Sequence, residues 1–278
     1  AGTLGLGKLI VFYDDNGISI DGEVDGWFTD NTVKRFDSYG WQVLADVDGH
    51  NTSAISTAIS QAQEDTQRPT LICCRTQIGF GSPNKAGTAG CHGAALGDEE
   101  VRLTREKLGW DYAPFEIPED IYASWNTIEQ GAERQSQWNV QFSQFETHHP
   151  ELAAEFLRRS QGYLPEDFSD RCAHFIADCQ RNQKPLATRK SSQKTIEFLV
   201  DVLPELVGGS ADLTGSNGTR WSGANSIGRA DFSGRYIDYG VREFGMSAIM
   251  NGMALHGGLI RYAGTFLVFS DYARNAVR

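Results

Sequence analysis

The chain has 278 residues, of which 40% are hydrophobic and 22% charged, the balance of a soluble globular protein with room for one large domain or two ordinary ones. A net charge of -11 repels polyanions at long range, which argues against nucleic acid or an acidic membrane as a partner. A local basic site for a small phosphate remains compatible with that charge. The cysteines, Cys73, Cys74, Cys91, Cys172 and Cys179, are odd in number and lack a C-x-x-C pair, which points to a reduced, cytoplasmic chain. No apolar run approaches the roughly 20 residues that a membrane span needs, and no signal-peptide pattern is visible.

In chain order, "KLIVFYDD" reads as a strand buried on both faces. "TDNTVKRFDSYG" reads as a helix, with Thr29 or Asp30 as N-cap and Gly40 just past its end. "WQVLADVD" is the next strand. The following helix, "NTSAISTAISQAQED", places Ala54, Ile55, Ala58, Ile59 and Ala62 on one face. "PTLICCRTQ" is a third strand, with Cys73 and Cys74 on opposite faces. Strands alternating with helices predict a parallel sheet with helical crossovers. A long loop rich in glycine, "IGFGSPNKAGTAGCHGAALGDEE", follows the C-terminal end of that third strand, where ligands bind in open α/β sheets.

Residues 110–185 change character. Trp, Tyr, Gln and Glu rise, and helices dominate, so this stretch reads as a helical linker between a first α/β domain, 1–109, and a second, 186–278. In the second, "SSQKTIEFLVDVLPE" is a helix, "LVGGSADL" a strand entering a turn, "VREFGMSAIMNGMALHGG" a helix ended by Gly257, and "IRYAGTFLVF" a strand. The opening "AGTLGLGKLIVFY" and the closing "DYARNAVR", the latter the first turns of a helix, read as elements cut short, so both domains are expected to be incomplete.

Several residues could carry chemistry. Asp14, Asp15, Asn16 and Gly17 end the first strand. An Asn amide oxygen and a main-chain carbonyl are hard donors that suit Mg²⁺, yet Asp, Asn and Gly are also ordinary turn residues. Glu243 stands near a helix start, where the helix dipole favours any carboxylate. Phe266 and Phe269 read by spacing as core residues. His92 is a lone loop histidine, and Arg189 sits in a basic cluster with Lys190. His50, His148, His149, His174 and His256 show no metal-ligand spacing and read as structural or solvated.

Taken together, "FYDDNGISIDG", "GFGSPNKAGT", "HGAALG", "GGSADL" and "YGVREFGM", in this order, resemble the transketolase family over essentially the whole chain. The resemblance implies a thiamine diphosphate-binding fold of two parallel-sheet α/β domains. Residues 1–109 would be the C-terminal part of the diphosphate-binding domain and 186–278 the N-terminal part of the pyrimidine-binding domain. It implies thiamine diphosphate with Mg²⁺ or Ca²⁺, sugar phosphates as donor and acceptor, and a homodimer with active sites between subunits. The metal end of the cofactor would belong to the first domain of one subunit and the Glu243 end to the second domain of the other.

Residue by residue, the resemblance implies that Asn16 binds the metal through its amide oxygen and Ile18 through its main-chain oxygen. Asp14 and Asp15 would hydrogen-bond or cap the turn. Glu243 matches the glutamate that bonds N1′ of the aminopyrimidine, where an apolar site would raise its pKa. Phe266 and Phe269 would form the aromatic pocket around that ring, with Asp212 and Leu213 lining the cofactor from the same side. His92 would lie near the diphosphate and the donor sugar, and Arg189 and Ser216 would grip the sugar phosphate. Ala89 and Gly90 stand where some members have a histidine, and Gly215 departs from a proline-containing form. The implied activity is reversible transfer of a two-carbon ketol unit from a ketose phosphate to an aldose phosphate. Alternatives are a dihydroxyacetone synthase-like sister enzyme and a transketolase-like protein that binds without catalysis, while the motifs fit deoxyxylulose-phosphate synthase less well. The 278 residues alone are expected to be inactive and poorly soluble.

Overall fold

In the computed structural model, which describes residues 1–278, the chain divides into two units, Ala1–Asn126 and Thr127–Arg278. The first unit begins with β1 (Ile10–Asp15) and a short antiparallel hairpin of β2 (Ile18–Ser19) and β3 (Gly22–Glu23). Helix α1 (Thr32–Ser38), β4 (Gln42–Asp48), α2 (Thr52–Glu64) and β5 (Thr70–Arg75) follow. Strands β1 and β4 both pair in parallel with β5, giving the order β1-β5-β4. Helix α3 (Asp98–Leu108), which the sequence reading left unassigned, and α4 (Glu119–Trp125) complete the unit.

The strand buried on both faces is β5, with Thr70 to Cys74 all buried. The sequence reads β1 that way too, but β1 is an edge strand paired only with β5, and its Phe12 is 49% exposed. Helix α2 covers one face as its spacing requires: Ala58 and Ala62 pack on Ile72 and Cys74, with Ile59 beside them. Cys73 lies on the opposite face, lining a cleft with Tyr13 and Arg75. The N-cap of α1 is Asn31 rather than Thr29 or Asp30, and its side chain accepts from the Lys34 N–H at 2.8 Å. Gly40 stands just past that helix, its N–H bonded to the Asp37 carbonyl.

The second unit opens with α5 (Ile128–His148), α6 (Pro150–Ser160) and α7 (Phe168–Asn182). Helix α8 (Thr188–Val202), β6 (Leu206–Ser210), α9 (Thr214–Asn217), β7 (Tyr236–Asp238), α10 (Glu243–His256), β8 (Ile260–Gly264) and α11 (Ser270–Val277) follow. Its sheet is again parallel, in the order β7-β6-β8. The strand expected through "IRYAGTFLVF" ends at Gly264, and Leu267–Phe269 forms a single 3-10 turn instead.

The glycine pair of "LVGGSADL" has a packing cause. A Cβ on Gly208 would lie 2.2 Å from the Tyr262 ring, and one on Gly209 would lie 1.8 Å from the Ile237 carbonyl oxygen. The central strand β6 therefore admits neighbours at backbone distance on both sides. One core joins Ile196 and Val200 of α8 to Leu206, Trp221 and Tyr236, and a second gathers Ala211, Tyr239 and Met246.

A buried ion pair ties α6 to the entrance of β6. Arg158 donates through both terminal nitrogens to the two Glu205 oxygens, each at 2.9 Å, and Glu205 is 4% exposed. Arg158 and Arg159 also bond Glu155. Burial alone would raise the Glu205 pKa, but the Arg158 bonds outweigh it and hold the carboxylate below its ordinary value. Arg158 holds Glu155 down to about 2. Both groups therefore contribute stability that is full above the ordinary carboxylate value of 4.5 and fades as pH falls through the lower folded values. Removing Glu205 takes two charge-assisted bonds from Arg158, which keeps Glu155 as its remaining carboxylate. Glu205→Ala should cost about 2 kcal/mol in urea unfolding and flatten the acid dependence below about pH 5. A cost within about 0.5 kcal/mol, the range of ordinary surface changes, would contradict this role.

Candidate functional site

Parallel pairing places the C-terminal ends of each sheet's strands at one edge. In the first unit Asp15 and Asp48 both register with Arg75, so Asn16, His50 and the loop after β5 emerge together. The Asn16 side-chain oxygen accepts from the Ile18 N–H at 2.9 Å, turning the chain into the β2–β3 hairpin. Asp14 does not cap this turn: its carboxylate accepts from the Thr76 hydroxyl beyond β5. His50, read as structural, accepts from the Gln77 N–H at 2.8 Å and stacks on Phe80 with ring centroids 3.9 Å apart.

The glycine-rich loop carries no regular element beyond a single 3-10 turn at Ala89–Cys91. It closes on itself nonetheless. The Gly87 N–H reaches the Ile78 carbonyl at 2.8 Å, and the Lys85 ammonium reaches the Leu96 carbonyl at 2.8 Å. The Cys91 thiol donates to the carbonyls of Lys85 and Thr88. His92 follows that turn, exposed, with its N–H on the Ala89 carbonyl at 3.0 Å.

In the second unit Ser210 registers with both Asp238 and Gly264. Asp212 and Leu213 therefore leave the same edge as Tyr239 to Glu243 and as Thr265 to Phe269. The hub is Ser210, 1% exposed. Its hydroxyl donates to the Gly264 carbonyl at 3.1 Å and accepts from the Leu213 N–H at 3.1 Å and the Asn217 amide at 3.0 Å. The network continues through Thr219 to Tyr236, whose hydroxyl also meets Thr214 at 2.7 Å. It holds Asp212 in a left-handed conformation with φ 59°. Sequence reasoning missed this network. Its signal was the Ser, Asn and Thr cluster in "GGSADLTGSNGT", which reads equally as loop.

Glu243 is the first residue of α10 and only 7% exposed. No ion pair or side-chain hydrogen bond reaches its carboxylate within the chain. Two buried polar atoms lack partners, the hydroxyls of Tyr239 and Thr265. Phe266 and Phe269 stand 5.7 Å apart by ring centroids, and Phe269 stands 5.8 Å from Tyr272. Arg189 and Ser216 are exposed, on the first turn of α8 and on α9. The two segments meet: a Cβ on Gly218 would lie 3.0 Å from the Arg189 carbonyl, and Gln193 bonds the Arg220 carbonyl at 2.9 Å.

These residues fit the groups that the sequence resemblance implies. Asn16 and Ile18 offer only oxygens, as a hard cation takes, and too few to hold one without phosphate and water. No cluster of three or more His, Cys, Asp or Glu offers another metal site. Glu243 has no donor within the chain, and a protonated ring nitrogen would supply one. A cleft between β4 and α2 contains none of the candidate residues.

Comparison with known proteins gives a consistent result. The family description "Transketolase, thiamine diphosphate binding domain" matches residues 1–165, and "Transketolase, pyrimidine binding domain" matches residues 184–278. The chain is 58% identical to Transketolase 2 of Vibrio vulnificus and 57% identical to Transketolase 1 of Escherichia coli. Each alignment covers the whole chain and 42% of the relative, so the chain spans well under half the length of these curated relatives. Among solved structures, a Pichia stipitis transketolase in complex with sedoheptulose-7-phosphate superposes with a TM-score of 0.90 at 40% identity, over 100% of this chain and 42% of that one. A transketolase from Leishmania mexicana gives 0.89 at 34% identity, over 100% and 41%.

The Ser210 hub makes a stability prediction. Ser210→Ala leaves the Leu213 N–H and the Asn217 amide without their acceptor in a buried place, a loss of about 1–3 kcal/mol. Urea unfolding should show that loss, and hydrogen exchange should show the Leu213 amide unprotected while β6 amides stay slow. Unchanged protection at Leu213 would remove Ser210 from the role of hub.

Proposed function

The chain belongs to the transketolase family, and from that premise we propose that it carries parts of a thiamine diphosphate site that transfers two-carbon ketol units between sugar phosphates. The observation that carries this reading is Glu243, a 7% exposed residue with no ion pair or side-chain hydrogen bond in the chain, following β7 at the C-terminal edge of a parallel sheet from which Phe266 and Phe269 also emerge after β8. Bound there, thiamine diphosphate supplies the electron sink for breaking and forming the bond to the ketol unit.

The chain's own residues have definable tasks. Glu243 would hold a proton shared with N1′ of the aminopyrimidine. Phe266 and Phe269 receive the faces of that ring, and Asp212 and Leu213 line the same side. In the first unit the Asn16 amide oxygen and the Ile18 carbonyl hold Mg²⁺ or Ca²⁺ against the diphosphate. His92 reaches the diphosphate and the donor sugar from the glycine-rich loop. Arg189 and Ser216 bind the phosphate of the sugar, the guanidinium as a two-pronged donor and the hydroxyl as a third.

Residues 1–109 serve as part of the diphosphate-binding domain, 110–185 as a linker and 186–278 as part of the pyrimidine-binding domain. The protein acts as a cytoplasmic homodimer with active sites between subunits, on sugar phosphates as ketose donor and aldose acceptor. No helix is long and apolar enough to cross a membrane.

In the complete protein carrying this chain, Glu243→Ala should lower two-carbon transfer by about 10²-fold or more, with the melting temperature nearly unchanged. A coupled assay of ketol transfer measures the first and calorimetry the second. Wild-type turnover in that variant would sink the assignment of Glu243.

A further inference from the structure

The long loop after β5 has an anchor that the functional reading does not use. Glu100 lies in the first turn of α3, where the dipole of that helix favours a carboxylate. It is 7% exposed, and its side chain turns back onto the loop. One oxygen accepts from the Ser82 hydroxyl and from the Asn84 N–H, the latter at 2.8 Å. The other accepts from the Asn84 side-chain amide at 2.9 Å. With these donors the acid is held down to about 2, its bond to Ser82 the largest cause. The carboxylate therefore stays ionised throughout the neutral range.

The anchored residues lead directly to His92. Asn84 precedes Lys85, whose ammonium ties the start of the loop to Leu96 near its end. The Lys85 carbonyl receives the Cys91 thiol, and Cys91 precedes His92. Glu100 is the one ionised group that accepts from Ser82 and Asn84.

We infer that Glu100 is a positioning residue, holding the glycine-rich loop so that His92 is presented to the diphosphate and the donor sugar. This rests on the role proposed above for His92. Glu100 touches neither substrate nor cofactor. It acts through Asn84, Lys85 and Cys91.

A double-mutant cycle tests it in the complete protein carrying this chain, with Glu100→Gln, His92→Ala and their combination. Glu100→Gln keeps the size and removes the charge, turning one acceptor into a donor that faces the Asn84 donors. It should weaken kcat/KM for the ketose donor by about 10- to 100-fold, the cost of a misplaced contact. In the His92→Ala background the same change should cost almost nothing, because the two act in series. Hydrogen exchange without cofactor should show amides 84–93 opening faster, with β5 amides unchanged. Asn84→Ala, which removes a single bond to Glu100, should give the same pattern more weakly and serves where Glu100→Gln folds poorly. Equal losses with and without His92, or loop exchange unchanged by either variant, would overturn the inference. A wild-type protein without ketol transfer would overturn the functional reading, and the exchange data would still decide whether Glu100 anchors the loop.

Discussion

Parallel pairing is the constraint on which the candidate site depends. Because β1 and β4 both run parallel to β5, their C-terminal ends share one edge with the glycine-rich loop. Because β7 and β8 both run parallel to β6, the residues after Ser210, Asp238 and Gly264 share another. Antiparallel pairing would have divided these residues between opposite ends of each sheet. The register in turn depends on central strands that tolerate close neighbours. β5 is buried throughout from Thr70 to Cys74, and β6 accepts the Tyr262 ring over Gly208 and the Ile237 carbonyl against Gly209. The sheets thus fix where chemistry can occur before any catalytic residue is considered.

What the strands deliver, buried polar side chains hold in place. Ser210 does this for the Asp212–Leu213 turn and Glu100 for the loop bearing His92. Both are nearly inaccessible, and both satisfy backbone N–H groups that irregular segments would otherwise leave without partners. Each also links segments distant in sequence: Ser210 joins the ends of β6 and β8, and Glu100 joins a helix start to the beginning of a loop. Glu243 is the contrast. It is as buried as Glu100 yet has no partner in the chain, an imbalance expected where a ligand completes the hydrogen bonding.

Much of this fold was legible from spacing. The single apolar face of α2, the alternation of strand and helix, and the end of α10 at Gly257 with φ 78° all follow from local rules. Other features depended on tertiary context. β1 has the apolar run of a central strand but lies at an edge, a distinction that depends on what flanks it. Asn31 displaced Asp30 as the cap of α1, since three neighbouring residues could each cap and geometry chose one. β7 is only three residues long and α3 is mostly charged, so neither gives a strong apolar pattern. At the site, motif resemblance singled out Asn16, Glu243 and Arg189, whereas Ser210 and Glu100 were hidden because their work is visible only when their partners are brought together.

The proposed function assigns the two ends of a cofactor to Asn16 of one subunit and Glu243 of the other. The most direct measurement is a crystal structure of the complete protein carrying this chain, grown with thiamine diphosphate and Mg²⁺. The account predicts N1′ of the aminopyrimidine within hydrogen-bond distance of a Glu243 carboxylate oxygen, roughly 3 Å, and the Asn16 amide oxygen and Ile18 carbonyl on the metal at roughly 2.1 Å. Cofactor bound with Glu243 facing protein or water alone, or metal held without Asn16, would contradict it.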